Sequence, residues 1–558
     1  MRRYYFILKK QWYLTLVLII ALPAMSFSQG FSSETTDRLQ HVIDSFQNNP
    51  ANPYVGGMSA AIKVDGLAFW RGATGYAARN VDGNNNLLPG GTSFETSTLS
   101  RMYSVTKTFT AALVLELAKE GVFSLQDPVS KFIPFLNAVN PELNSAVTIH
   151  QLLVHESGYS SYSDEQQLQI AVAFQPTHQW TVFEMLTFVH QTDASGTARK
   201  YSNTNYPVLG IIVEIATGLP LEQHFRQRFF TPLQLNSIYF DAREPQWPGT
   251  VLASPHDNIS PFNPIFLFTG QPTFPNAVTN ISAFPFTAIS TLEYASGGLI
   301  SNIADMAEWG NSLFGGRATS QSTLDEMINS ISSTPDQDGD FLGYGVFRTT
   351  RISATDVFIG HDGNAPGYRS VMFYQPDRKM TITILTNYRG ARLYDVAKVL
   401  FEALPPFICG NKNKKEDKII VCYNGNNLCV DRKAAESFIE KGAYLGSCGS
   451  ESLTKTGSTE LSEENTKLVP GNNLITVYPN PASGNVSISF ATAVTSKTKL
   501  ELYDMNGKLV KNLYEGVLGE NARKKIDLHT KGLPSGIYIV SLQTGNKIVS
   551  QNKLVVTN

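Results

Sequence analysis

The sequence predicts a mixed α/β (α+β) domain, then a small cysteine-bearing segment, then a C-terminal all-β sandwich. Three observations predict this. Over residues 29–405, helical segments such as 108–120 and 204–217 alternate with strand-like runs such as "SVMFYQP" and "MTITILTN". All four cysteines (Cys409, Cys422, Cys429 and Cys448) fall within forty residues, after a stretch of 408 that contains none. From residue 474 the apolar pattern changes to period two. "NVSISF" alternates Val486, Ile488 and Phe490, and "KLELYD", "GIYIVSL" and "KLVVTN" follow, separated by "MNGK" and "LPSG" turns. Short strands at regular spacing with such turns make a sandwich.

The start of the chain reads as a targeting segment. Basic "MRRYYFILKK" precedes apolar "WYLTLVLIIALPAM" and small-residue "SFS", the order of a secretory signal over residues 1–28. The apolar run is too short to favour a stable membrane span. The mature chain is therefore expected to be exported. With 558 residues, and about 150 per domain, three or four units are expected. Charge is balanced, 45 Lys+Arg against 47 Asp+Glu, and nothing suggests the clustered basic surface that a nucleic-acid binder needs. Pro405-Pro406 closes the long domain, and residues 406–449 form the cysteine module. In an oxidising compartment two disulfides are expected, and all three pairings stay open. Zinc is the competing reading, but intervals of 12, 6 and 18 residues contain no CxxC knuckle. Residues 450–473, polar and rich in Ser, Thr and Glu, read as a linker that buries too little to order itself.

The chemistry begins at "YSVTKTFTAALVLELAKEG". A hydroxyl is a poor nucleophile until something accepts its proton. Ser104 and Lys107 are three apart, so a helix puts the amine beside the hydroxyl. A buried lysine with a depressed pKa can act as a base, and a helix N-terminus favours an anionic oxygen. Phe109, Ala112, Leu113, Leu117 and Val122 then form an apolar stripe. The pair alone is a weak signal. A second element is "KYSNTNYPVLGIIVEIATG", where Tyr201 and Asn203 point the same way in extended chain. Its structural alternative is Asn203 or Thr204 as a helix cap and Tyr201 as a core edge. A third is "DVFIGHDGNAPGYRSVMFYQP", a strand reaching His361-Asp362-Gly363, a turn, and a returning strand. A glycine there lets a substrate backbone approach, and an extended ligand can pair with the strand edge. His361 would project beside that edge; its alternative is an ordinary, partly exposed histidine.

The set Ser104-x-x-Lys107, Tyr201-x-Asn203 and His361-x-Gly363, in that order, resembles the serine β-lactamase and penicillin-binding-protein superfamily. It is most similar to the branch of class C β-lactamases, D-alanyl-D-alanine carboxypeptidases and esterases. "TIHQLLVHESGY", "ASGGLISNIADMAEW" and "LGYGVF" add to the likeness. The resemblance implies an antiparallel sheet flanked by helices, with a helical lobe. It implies Ser104 as the acylated nucleophile, activated by Lys107 and Tyr201, with the choice of base open between them. Asn203, His361, Gly363 and Asn364 would bind substrate, and the N–H groups of Ser104 and Asn364 would form the oxyanion hole. The implied substrate is a small-molecule or peptide-like ester or amide. No cofactor or metal is expected, and a monomer is expected.

One departure matters. His361 stands where class C β-lactamases carry lysine, and a neutral imidazole holds a substrate carboxylate less strongly. An esterase or D-Ala peptidase is therefore expected rather than a dedicated β-lactamase. A non-catalytic peptide- or penicillin-binding surface module is the alternative, as is an adhesin acting through residues 407–558. Lys455-Thr456-Gly457 lies in the polar linker and is set aside. "VYPNPASGNVSI", "LYDMNGKLV", "LPSGIYIVSL" and terminal "KLVV" resemble the sorting domain of type IX secretion cargo from Bacteroidetes-type bacteria. That implies the secretion machinery as partner and a secreted or cell-surface location. "PDQDGDF" begins like a calcium loop, but the twelfth position from Asp336 is Phe347, so a solvated loop is expected. His150 and His155 are read as packing near the site rather than as metal ligands. The aromatic insertion over 240–292 is expected to wall the cleft.

Overall fold

The structure, a computed structural model, describes residues 30–48, 56–82, 87–244, 251–257, 278–282, 285–336, 339–410 and 416–448. It also describes 474–478, 482, 484–492, 495–504, 508–519, 522–545 and 547–556. The signal segment 1–28, the linker 450–473 and much of the aromatic insertion lie outside the described residues. The chain divides into two units, with the boundary after Ser452.

In the first unit, strands from both ends of the sequence meet in one sheet. They are β1 (Gly57–Val64), β2 (Ala68–Val81), β3 (Leu87–Ser93), β4 (Phe341–Leu342), β5 (Phe347–Thr349), β6 (Phe358–Ala365), β7 (Tyr368–Gln375) and β8 (Met380–Thr386). The order is β3-β2-β1-β8-β7-β6-β5-β4, with every pair antiparallel. The central pair, β1 and β8, runs in register from Met58 opposite Thr386 to Val64 opposite Met380. Period-two alternation divides β1 between two cores. Ala60, Ile62 and Val64 pack with helices α1 (Ser33–Gln47) and α6 (Leu393–Glu402). Ala61 joins the helical lobe.

That lobe is built around α2 (Thr106–Lys119), with α3 (Asn205–Thr217), α4 (Thr287–Gly297) and α5 (Ile303–Phe314). α2 is buried almost all round, as a core helix should be. Phe109 stacks on Trp309 with ring centroids 3.7 Å apart. The antiparallel sheet, flanking helices and helical lobe are the architecture the resemblance implies.

The cysteine segment differs from the sequence reading in one respect. Its hairpin (Lys418–Tyr423 and Asn426–Asp431) and helix α7 (Arg432–Glu440) do not form a core of their own. Ile419, Val421, Ala435, Ile439 and Leu445 share the core of β1, α1 and α6. Leu445 N donates to Gly30 O at 2.7 Å, and the Arg432 guanidinium donates to Arg378 O at 3.2 Å. About forty residues bury too little surface to stand alone. The disulfides are Cys409–Cys429 and Cys422–Cys448, with Cα separations of 6.1 and 4.8 Å.

The second unit is a sandwich of a three-stranded and a four-stranded sheet. Its core holds Val486, Ile488 and Phe490 against Leu500, Leu502, Val540, Leu542 and Leu554, as the period-two pattern requires. Among the described residues no helix is long and apolar enough to cross a membrane.

Candidate active site

The site starts from a strained turn. Tyr103 has φ +46°, a conformation that a bulky residue keeps only when its surroundings over-determine it. Here it is 1% exposed, donates from Oη to Pro366 O at 2.8 Å and meets Tyr368 edge-on. The single helical turn Tyr103–Val105 follows, then α2. Ser104 is thereby held at the mouth of the buried helix, with Lys107 one turn on and completely enclosed.

Lys107 Nζ donates to Ser104 Oγ at 2.9 Å, to Asn203 Oδ1 at 2.7 Å and to Ser296 O at 3.0 Å. Tyr201 Oη donates to the same Ser104 Oγ at 3.0 Å. Thus Ser104, Lys107, Tyr201 and Asn203 stand in one cluster. Of the two residues weighed as caps, Thr204 takes the N-cap position of α3 but its side chain makes no capping bond there, and Asn203 is not the cap. Asn203 faces the lysine and Ser163 Oγ, while Thr204 Oγ1 donates to Ser160 O at 2.6 Å.

Burial draws the Lys107 ammonium well below its ordinary range, with the carboxylates of Glu293 and Asp362 opposing. Burial drives the Tyr201 phenol in the other direction, far above its usual value, so it remains a neutral donor. His155 stacks on Tyr201 with centroids 4.6 Å apart and accepts from Ser202 N at 3.1 Å. Burial and the charge of Lys107 keep its imidazole neutral. His150 pairs with Tyr344 Oη at 2.6 Å. Both histidines are packing groups here.

The third element is placed differently from its sequence reading. His361 is 2% exposed, unlike the ordinary, partly exposed histidine of the alternative reading. Its Nδ1 lies 2.6 Å from Asp362 O, and its ring packs edge-on against Phe347. Burial and the Lys107 charge hold it down at about 3, so it is neutral near pH 7. At Gly363 the close approach is made by the protein itself. A Cβ there would stand 2.1 Å from Met102 O and 2.5 Å from Ser370 Oγ. Its bare Cα lets the segment before the nucleophile lie against β6, since a strand glycine leaves room for another backbone to pass close. Gly363→Ala is therefore expected to push Met102 and displace Ser104. Thermal unfolding should show a loss of roughly 1–3 kcal/mol, accompanied by slower labelling of Ser104 by a serine-directed probe.

Asn364 is exposed. The turn Pro366-Gly367 (Gly367 φ +77°) makes Ala365 face Tyr368, and the next pair is Asn364 with Arg369. In a two-residue hairpin the flanking pair exchanges hydrogen bonds, so the Asn364 N–H points away from β7. β5 pairs with β6 only as far as Gly360, so that side of residues 361–365 has no strand partner among the described residues.

Sequence reasoning missed the Tyr103 strain, Ser296 as a lysine acceptor and Glu293. Ser296 lies inside the quoted "ASGGL" run, and Glu293 just before it. A positive φ at a tyrosine has no sequence signature.

A serine hydroxyl met by a buried lysine and a phenol, on a sheet of this order beside a helical lobe, belongs to the class of active-site-serine hydrolases. Residues 43–403 match the beta-lactamase family, and the chain belongs to that family, whose members are serine hydrolases. Residues 476–557 match the secretion system C-terminal sorting domain, which marks a type IX secreted or cell-surface protein. Among curated proteins the chain is similar to protein flp of Staphylococcus aureus (strain MW2), 28% identical over 206 residues, 37% of this chain. That match spans only 39% of the relative's length. The putative D-alanyl-D-alanine carboxypeptidase of Escherichia coli (strain K12) is 26% identical over 387 residues, covering 66% of this chain and 86% of that one. Among solved structures, D-amino acid amidase from Ochrobactrum anthropi SV3, complexed with L-phenylalanine amide, superposes with TM-score 0.54 at 23% identity. The superposition covers 69% of this chain and 100% of that one.

Proposed function

We propose that the chain is an exported hydrolase that forms an acyl-enzyme on Ser104 and cleaves an ester or a peptide-like amide. The observation that carries this reading is the double hydrogen bond on Ser104 Oγ, from Lys107 Nζ and Tyr201 Oη. A neutral lysine amine has two N–H donors, and Asn203 Oδ1 and Ser296 O are the two acceptors that would hold them. Its lone pair is then left for the Ser104 proton. Lys107 is thus the base, and Tyr201, a neutral phenol, is the donor that passes a proton toward the leaving group. As Oγ bonds to the substrate carbonyl carbon, its proton moves to Lys107 Nζ. The carbonyl oxygen takes the electron pair and lies between the N–H groups of Ser104 and Asn364. Collapse expels the leaving group with a proton, and water releases the acyl group by the reverse sequence. Asn203 and Asn364 would line the substrate's path beside the buried His361, while Gly363 lets the segment before Ser104 lie against β6.

A neutral, buried His361 offers no cation to a substrate carboxylate, which weighs against a dedicated β-lactamase and toward the esterase type, with the D-Ala peptidase type kept on the family likeness. Similarity to the putative carboxypeptidase supports the amide class. The natural division is a cleaved segment 1–28, a hydrolase body, a linker and a sorting domain over 474–558, in a Bacteroidetes-type bacterium. The test is intact mass of the purified protein after a fluorophosphonate probe, followed by kinetics on short esters, D-Ala-D-Ala peptides and a cephalosporin. One adduct on Ser104 and faster turnover of esters or peptides than of the cephalosporin are expected. A folded protein without an adduct overturns the nucleophile, and a preference for the cephalosporin overturns the substrate class.

A further inference from the structure

Glu293 belongs to none of the three motifs, yet its carboxyl reaches the end of the helix that Lys107 touches. α4 kinks at Tyr294 (φ +28°) and closes at Gly297. A Cβ on Gly297 would lie 1.9 Å from Glu293 Oε2 and 2.9 Å from its Cδ. The side chain therefore folds back over the bare Cα of Gly297. The neighbouring Ser296 carbonyl accepts from Lys107 Nζ at 3.0 Å. Ser296 Oγ donates to Glu293 O at 2.7 Å and lies 3.1 Å from Tyr162 Oη. One helix end thus carries both the third lysine acceptor and a carboxyl. All three ammonium protons already have acceptors, so Glu293 acts on Lys107 through space.

The other groups facing Lys107 leave this role open. The rings of Tyr201 and Tyr206 stand 5.1 and 5.4 Å from Nζ. His155 and His361 are held neutral by burial. Asp362 is the second acid, but the charges of Arg351 and Arg369 already oppose it. Around Glu293 itself, besides Lys107, are the Tyr162 phenol and Arg101, and Arg101 is tied to Asp241 at 2.9 Å.

When Lys107 takes the serine proton, a cation forms in an enclosed site, where an unpaired charge is costly. We propose that Glu293 is a positioning residue, the counter-ion of the ammonium that Lys107 becomes in the acylation step. This rests on Lys107 being the base. Burial raises the Glu293 carboxyl and the lysine charge opposes that rise, as a mutually dependent pair requires. Removing the carboxylate must lower the Lys107 pKa further, because an opposite charge favours the charged form.

The experiment is an NMR pH titration of the full chain carrying [ε-13C]lysine, with the Lys107 signal assigned by its absence in Lys107→Met. In Glu293→Gln the Lys107 midpoint is expected to fall by roughly one pH unit, with Glu293→Asp restoring part of the shift. Gly297→Ala should move it the same way. The new methyl displaces only the end of a flexible side chain, so the fold is retained even if Glu293→Gln fails to fold. A Lys107 midpoint unchanged or raised in these variants overturns the proposal. The labelling rate of Ser104 by the fluorophosphonate, followed against pH, should show its acid limb displaced downward by the same amount. A shifted lysine titration in a wild-type protein that never labels would instead overturn the hydrolase reading and leave the Glu293–Lys107 coupling standing.

Discussion

Ser104→Ala is expected to abolish acyl transfer, with turnover of the best ester or peptide substrate falling by roughly 10^4-fold or more. The size follows from chemistry. Without Oγ no covalent intermediate forms, and neither Lys107 nor Tyr201 retains a group to activate. The fold should be unaffected. Ser104 is only half-buried, and of the two side chains that bond its Oγ, Lys107 keeps Asn203 Oδ1 and Ser296 O while the Tyr201 ring keeps its stack on His155. The melting temperature should therefore hold while the probe adduct disappears from intact mass. A Ser104→Ala protein that still turns over at the wild-type rate would remove Ser104 from the mechanism and return the site to a binding role. Loss of both activity and folding would be separated by Ser104→Cys, which keeps a nucleophile at the same place. Residual labelling of that variant by a thiol reagent would report the geometry independently.

Much of this site was legible in the sequence because its residues recur at fixed local intervals. Ser104 and Lys107 share a helix face, and Tyr201 and Asn203 share a side of extended chain, so short-range geometry alone aims each pair. Individual strands were also legible as strong apolar runs such as Met380–Thr386, and an antiparallel sheet was implied by the resemblance, whereas the strand order was not. What was not legible depends on distant packing. His361 reads as projecting beside the strand edge, and its burial against Phe347 and near Tyr201 has no local sequence signature. Gly363 reads as a place for a ligand, and only the fold shows Met102 O filling the space beside it. The cysteine segment looked separable because its composition changes abruptly, yet its few apolar residues complete a core begun by α1. Glu293 was invisible because its partner is 186 positions away in sequence and the two meet only through a kinked helix end.

Replacing Lys107 tests which group is the base, and two kinds of pH dependence test it separately. Lys107→Met keeps the length of the buried chain and removes the amine. Acylation of Ser104 should slow by roughly 10^2–10^4-fold, the usual span of general-base catalysis. Tyr201→Phe should cost less, because the phenol, held neutral in the resting site, relays a proton but is not the group that takes it from Ser104. The reverse ranking would make Tyr201 the base. In the wild type, acylation should rise with pH as Lys107 loses its proton, with an inflection well below the ordinary lysine value of about 10.4; Lys107→Met should lose that limb. Stability carries the same signature with a determined sign. The folded-state pKa of Lys107 is depressed, so between that value and the unfolded value the unfolded chain binds more protons, and stability rises with pH. Burying the charged amine is thus a penalty fully present at low pH and relieved as pH rises through that window. Lys107→Met removes the penalty at the same time as it leaves Asn203 Oδ1 and Ser296 O without their donor, a loss that does not depend on pH. The stability of the wild type relative to Lys107→Met should therefore increase from neutral to alkaline pH, as read by urea unfolding at a series of pH values. A difference that stays flat across that range would mean Lys107 titrates in the folded protein where an exposed lysine does, and an amine charged at neutral pH has no lone pair to offer Ser104.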